Sequence, residues 1–213
     1  MVRSIRVQAS QTIFGLQGRN AIEFANSGEN AGTFCGTAGL TANCLHLYHK
    51  VLPECLIDVG STPSQTGVML RNIARTYGAG TQFVTIGGGP ADIDQCGGGT
   101  TYFKGDIMSL AGPLVLGDLP RPWIVSTSQA RNYQTKMAAL HFALRHLQSG
   151  DYLVLEDPEV KSGRDVRKND CRTDDALSDF LAANPGVLSA DLKDWGRHGA
   201  HTGQGTIHHL RRL

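Results

Sequence analysis

The stretch from Cys55 to Gly67, Cys-Leu-Ile-Asp-Val-Gly-Ser-Thr-Pro-Ser-Gln-Thr-Gly, constrains the fold more than any other part of this chain. Cys55 to Val59 is apolar except for Asp58 near its end, and it has the length of a buried strand. Gly60 opens a tight turn, and Ser61, Thr62 and Ser64 are natural helix N-cap residues. Val68, Met69, Ile73 and Ala74 then recur at helical spacing through Tyr77. Strand, glycine turn and helix make the first βα unit of a nucleotide-type fold. In such a unit, backbone N–H groups and a helix N-terminus face a ligand beyond the carboxyl end of the strand. Asp58 falls at that end, where a carboxylate accepts hydrogen bonds from a ligand amine or hydroxyl. The same pattern also suits a plain glycine turn with Asp58 as a cap.

The rest of the chain repeats the alternation. Leu40 to Leu52 reads as a helix stopped by Pro53, and Gln82 to Ile86 as a second strand. A glycine-rich loop from Gly87 to Thr100 carries Asp92 and Asp94. Thr101–Phe103 and Trp123–Val125 are the third and fourth strands. Asn132 to Leu147 is the clearest helix, with Met137, Leu140, Leu144 and Leu147 on its apolar face. Asp151 to Leu155 is a fifth strand. Asp174 is expected to cap a helix through Ala183, and Thr206 to Leu210 is a candidate last strand. Strands alternating with helices predict a single doubly wound α/β domain over 1–213, with a mostly parallel sheet and with 1–40 as an N-terminal extension.

Composition narrows the function classes. Twenty Lys and Arg against 19 Asp and Glu leave a net charge of +1, without the basic field of a nucleic-acid binder. No apolar run is long enough to span a membrane. The first residues lack the apolar core of a signal peptide. The 5 cysteines are odd in number and show no CxxC spacing, which suits reduced thiols in a cytoplasmic protein. A small-molecule substrate is the expected partner; a homo-oligomer is compatible with the composition.

Acids cluster at the predicted strand ends: Asp58, Asp106, and the pair Glu156 and Asp157. In a parallel sheet these ends share one face, so the carboxylates are candidates for one crevice. Adjacent carboxylates hold a hard divalent cation through oxygen, or one serves as a base; alternatively they pair with Lys161 or Arg164. Arg131 and Tyr133 open the long helix at the same edge, as substrate contacts or merely as its first turn. His46 and His49, near Cys44, read as a polar helix face. His198, His201, His208 and His209 read as loop surface, and Cys96 as an exposed thiol.

The segment Gly150-Asp151-Tyr152-Leu153-Val154-Leu155-Glu156-Asp157 resembles the G-x-Y-L-V-V-E-D segment of the cephalosporin hydroxylase family, Rossmann-like relatives of macrocin-type O-methyltransferases. The preceding helix, with Tyr133 and Leu140, and the terminal Gly205-Thr206-Ile207-His208-His209-Leu210 resemble that family's corresponding segments. Asp58-Val59-Gly60 resembles the acidic-x-Gly core of the first methyltransferase motif. The resemblance implies a methyl transfer from S-adenosylmethionine to a hydroxyl or amine of a small metabolite. It implies cofactor contacts from Asp58, Gly60, Ser61, Ser64, Gly67, Gly87, Asp106 and Ser128. Glu156, Asp157, Arg131 and Tyr133 would act at the acceptor, and Glu156 with Asp157 would hold any Mg2+. The departures are specific. Ser64-Gln65-Thr66 replaces the family's Gly-Gly-Ser, Gly87 stands where an acid holds the cofactor ribose, and Ser128 and Arg131 stand where the family has its metal-binding Asp and nearby His.

Overall fold

The structure is a computed structural model and describes residues 38–60, 64–77, 80–87, 100–105, 115–127, 132–156, 173–190 and 207–213. β1 (Cys55–Val59) is buried at every position, as an apolar run covered on both faces must be. β2 (Gln82–Gly87) and β4 (Trp123–Thr127) flank it in parallel, setting Asp58 between Thr85 and Ser126. β3 (Thr100–Lys104) extends the sheet beyond β2, and β5 (Tyr152–Glu156) beyond β4, both in parallel. β7 (Ile207–Arg212) then joins β5 antiparallel, and β6 (Leu188–Ala190) joins β7 antiparallel. The order is β3-β2-β1-β4-β5-β7-β6.

Several expectations are corrected here. The last strand runs from Ile207 to Arg212 and is reversed. Leu188–Ala190 is a strand that the sequence reading missed, because so short a run shows no periodicity. The helix ending at Ala183 begins at Thr173, so Asp174 lies in its first turn instead of capping it.

Strand alternation divides the core. Cys55, Ile57 and Val59 pack with Val125, Leu153 and Leu155 against α3 (Tyr133–His146) and α4 (Thr173–Ala183), through Leu140, Ala143 and Phe180. Leu56, Ile124 and Val154 pack against α1 (Ala38–Val51) and α2 (Gln65–Tyr77), through Leu45, Tyr48, Met69 and Ile73. α3 begins as predicted: Asn132 Oδ1 accepts from the Thr135 N–H at 2.9 Å, and Thr135 Oγ1 accepts from the Asn132 N–H at 3.2 Å. This is the reciprocal capping box.

The amino end of the sheet is locked by Asp151. Its carboxylate accepts from the backbone N–H groups of Trp123 and Gln148, each at 2.8 Å, and pairs with the Arg121 guanidinium. That guanidinium lies 3.5 Å from the Trp123 ring centroid. Burial pushes the neighbouring Cys55 thiol up to about 12, so it stays a protonated core residue. No helix among the described residues is long and apolar enough to cross a membrane.

Candidate functional site

In the strand order the chain proceeds from β1 to β2 and β3 on one side, and to β4 and β5 on the other. The reversal falls between β1 and β4, at the switch point where open α/β sheets bind ligands beyond their carboxyl ends. The end of β1 and the start of α2 stand there, tied together by Asp58. Asp58 Oδ1 accepts from Ser64 Oγ at 2.8 Å and from Ser126 Oγ at 2.9 Å, while Oδ2 accepts from the Ser64 N–H at 3.1 Å. Ser64 Oγ in turn accepts from the Gly67 N–H at 2.8 Å, the N-cap bond expected of this residue. One carboxylate thus ties β1, β4 and the start of α2 together.

Thr85, Asp58 and Ser126 form a polar row across three strands, on the face that α2 covers. The buried Arg71 of α2 donates to Thr85 Oγ1 at 3.3 Å and lies near enough to Asp58 to stabilise its ionised form. Burial nevertheless dominates. It raises the Asp58 carboxyl to about 6, against the opposing pull of the Ser64 and Ser126 hydroxyls, the Ser64 N–H and Arg71. The Asp58 oxygens are thus engaged inside the protein.

Among the candidate residues, the structure brings Asp58, Ser64 and Gly67 into contact, with Gly60 at the end of β1. The Gly60 N–H donates to the Ile86 carbonyl at 2.9 Å, fixing the turn to β2. Gly87 ends β2; its carbonyl accepts from the Tyr102 hydroxyl at 2.7 Å and the Gly105 N–H at 2.9 Å. Tyr133 opens α3, and its hydroxyl donates to Asp179 Oδ2 at 2.9 Å, which raises the phenol pKa. Glu156 closes β5. Ser61, Asp92, Asp94, Cys96, Asp106, Ser128, Arg131 and Asp157 lie outside the described residues. The sequence reading missed Ser126, Thr85 and Arg71. Only strand register brings Ser126 to Asp58, so no local motif announces it.

His49 and His209 are not the surface groups predicted, while His198 and His201 lie outside the described residues. His49 is 8% exposed and His209 7%, and Cys44 is fully buried, because α1 covers the sheet on the face that β7 extends. Burial lowers the His49 pKa. Burial, helped by His208 and His46, lowers His209 to about 4. His209 and Asp58 consequently give opposite pH dependences. The folded state resists protonation of His209, so that contribution to stability is full above pH 6.5 and is lost as pH falls towards about 4. The folded state favours protonated Asp58, so stability falls as pH rises from 3.8 to about 6. Each effect amounts to about 3 kcal/mol. Relative to wild type, Asp58→Asn should lose stability on acidification across this window, and His209→Leu should gain it. Urea unfolding at several pH values reads both differences; equal pH profiles for wild type and both variants would contradict the assignment.

The strand order is that of a Rossmann-like fold of the methyltransferase type. The antiparallel β7 inserted between β5 and β6 separates it from the 3-2-1-4-5-6 order of dinucleotide-binding Rossmann domains. No protein-family model matches the chain, and no curated protein matches it in sequence. Solved structures do. The apo form of CmcI, of the cephalosporin hydroxylase family, is 19% identical with a TM-score of 0.55, over 83% of this chain and 70% of that one. A structure of CmcI with magnesium and S-adenosylmethionine is likewise 19% identical, with a TM-score of 0.51 over 79% of this chain and 68% of that one. The S-adenosylhomocysteine-bound methyltransferase PaMTH1 of Podospora anserina is 10% identical, with a TM-score of 0.55 over 98% of this chain and 88% of that one.

The described residues fit part of such a cofactor. The N-terminus of α2 is tied to β1 and β4 at the switch point, and β2 ends in a glycine. Asp157 and the side chain of Glu156, expected to hold any divalent cation, lie outside the described part of the structure. Among the described residues no three His, Cys, Asp or Glu side chains come together, and residue 128 is a serine.

Proposed function

We propose that this protein transfers a methyl group from S-adenosylmethionine to a hydroxyl or amine of a small metabolite. The observation that carries the reading is the β1–α2 turn, clamped by Asp58 through Ser64 and Ser126 at the switch point of the sheet. When bound, S-adenosylmethionine supplies an electrophilic methyl group. Residues Gly60 to Gly67, with Ser61 and Ser64, would hold its methionine end, and Asp106 would bind its adenine. Glu156 and Asp157 would orient the acceptor, and one of them would take its proton as the methyl group passes from sulfur to oxygen or nitrogen. Arg131 and Tyr133 would contact the acceptor. Most of the acceleration comes from in-line alignment, worth up to ~10 kcal/mol in well-oriented systems.

Gly87 and Ser128 favour one alternative, a fold repurposed for a small-molecule transformation without this cofactor. Photo-crosslinking with methyl-labelled S-adenosylmethionine and peptide mapping separates the two. Label is expected within residues 60–67 and near residue 87. Label on α1, or none at millimolar cofactor, would remove the methyltransferase reading.

A further inference from the structure

Tyr102 lies on β3 opposite Thr85 of β2, so its side chain shares the face that carries Thr85 and Asp58. From there its hydroxyl reaches forward to the end of β2 and donates to the Gly87 carbonyl at 2.7 Å. The Gly105 N–H donates to the same carbonyl at 2.9 Å. The phenol oxygen thus stands at the carboxyl edge of the sheet, on the strand next to β1, where ligands of such sheets bind. Asp58, Thr85 and Ser126 on this face are buried, whereas Tyr102 is partly exposed. In nucleotide-binding folds the end of β2 carries the acid that receives a ribose hydroxyl; Gly87 has no side chain to do so. A carbonyl oxygen only accepts, so the one Tyr102 proton is committed to Gly87, and the phenol oxygen keeps acceptor capacity alone. The Gly87 carbonyl has two lone pairs and receives two donors, so it offers a ligand nothing further.

We propose that Tyr102 is a specificity-determining residue of the crevice, whose phenol oxygen accepts a hydrogen bond from a hydroxyl of the ligand where β2 offers no side chain. The inference rests on the proposed function, in which that hydroxyl belongs to the cofactor ribose. Because Gly87 holds the Tyr102 proton, the oxygen selects for a donor. An ether oxygen at the same place would set lone pair against lone pair, and a missing hydroxyl would leave the phenol oxygen unmatched. Sites that hydrogen-bond a ligand hydroxyl reject the analogue lacking it more strongly than an apolar pocket does. A hydroxyl is a weaker acceptor than a carboxylate, so Tyr102 replaces only part of what an acid at residue 87 would supply.

The test is calorimetric titration of the full chain with S-adenosylhomocysteine and with the two analogues that each lack one ribose hydroxyl. Wild type is expected to bind one of the analogues about fivefold more weakly than S-adenosylhomocysteine, the loss typical of one uncharged hydrogen bond. Tyr102→Phe should bind S-adenosylhomocysteine about fivefold more weakly than wild type, and should no longer distinguish it from that analogue. A tyrosine that only braced Gly87 would, when replaced, weaken all three ligands alike and leave the discrimination intact. Tyr102→Phe keeps the ring and the Gly105–Gly87 bond, so its melting temperature should stay within a few degrees of wild type. Analogues bound by wild type as tightly as S-adenosylhomocysteine, or equal discrimination by wild type and Tyr102→Phe, would overturn the role of Tyr102 and leave the methyltransferase reading standing. No binding of S-adenosylhomocysteine by wild type at millimolar concentration would remove that reading and this proposal together.

Discussion

Replacing Asp157 with Asn is expected to lower turnover about a hundredfold, the typical loss of a general base, while the melting temperature stays within a few degrees or rises. Asp157 directly follows β5 and precedes Pro158, which biases the residue before it towards extended backbone. A carboxylate beside Glu156 at the sheet's carboxyl edge is repelled by its neighbour, which favours proton uptake by one of the two. In the proposed function that member would serve as base near neutral pH. Removing one of two adjacent like charges relieves their repulsion, so stability is preserved. If Asp157 only organised the loop after β5, the pattern would reverse, with a lower melting temperature and turnover intact. Steady-state kinetics and melting curves on the same preparation distinguish the outcomes. A variant with normal melting and full activity would remove Asp157 from the chemistry.

Gly67→Ala should destabilise the protein by about 3 kcal/mol, where helix propensity alone would stabilise it by ~1 kcal/mol. A Cβ at this position would come within 2.7 Å of Asp58 Cγ, Asp58 Oδ2 and Ser64 Oγ. Neither short side chain has room to retreat: Asp58 is held by three hydrogen bonds, and Ser64 is both donor to it and acceptor from Gly67. Overpacking of this kind costs roughly 1–3 kcal/mol, and each broken internal hydrogen bond about 1 kcal/mol more. In a domain of this size that is roughly a 10 °C drop in melting temperature. The turn would shift with it, so cofactor affinity should fall in parallel. A variant as stable as wild type would show that the Asp58 clamp yields easily.

What could be read from the sequence follows the range of the forces involved. The β1–α2 unit was legible because an apolar run, a glycine and capping residues lie within one short stretch. The α3 boundaries were legible for the same reason, since Asn132 and Thr135 form a capping box three residues apart. Ser126 and Thr85 were not, because they meet Asp58 only through strand register. β6 and the reversal of β7 depend on pairing between distant segments. His49 and His209 were misjudged for one reason: polar residues on periodic elements read as solvent-facing until it is known which faces are covered. The close packing of Gly67 against Asp58 also has no sequence signature, because a glycine at that place reads equally as a plain turn residue.

The cofactor crevice itself is tested most directly by calorimetric titration of wild type and Gly87→Asp with S-adenosylmethionine. Gly87 is the last residue of β2, at the position where the resemblance places a ribose-binding acid, and its φ is not in the left-handed region, so an aspartate fits the backbone. Two ribose hydroxyls without a charged acceptor each lose roughly 1.5–3 kcal/mol. Wild type should therefore bind weakly, with a Kd between roughly 10 µM and 1 mM. Gly87→Asp should tighten binding at least about tenfold, which corresponds to ~1.4 kcal/mol. Submicromolar binding by wild type, or no heat from either protein at millimolar cofactor, would contradict a cofactor site over β1 and β2.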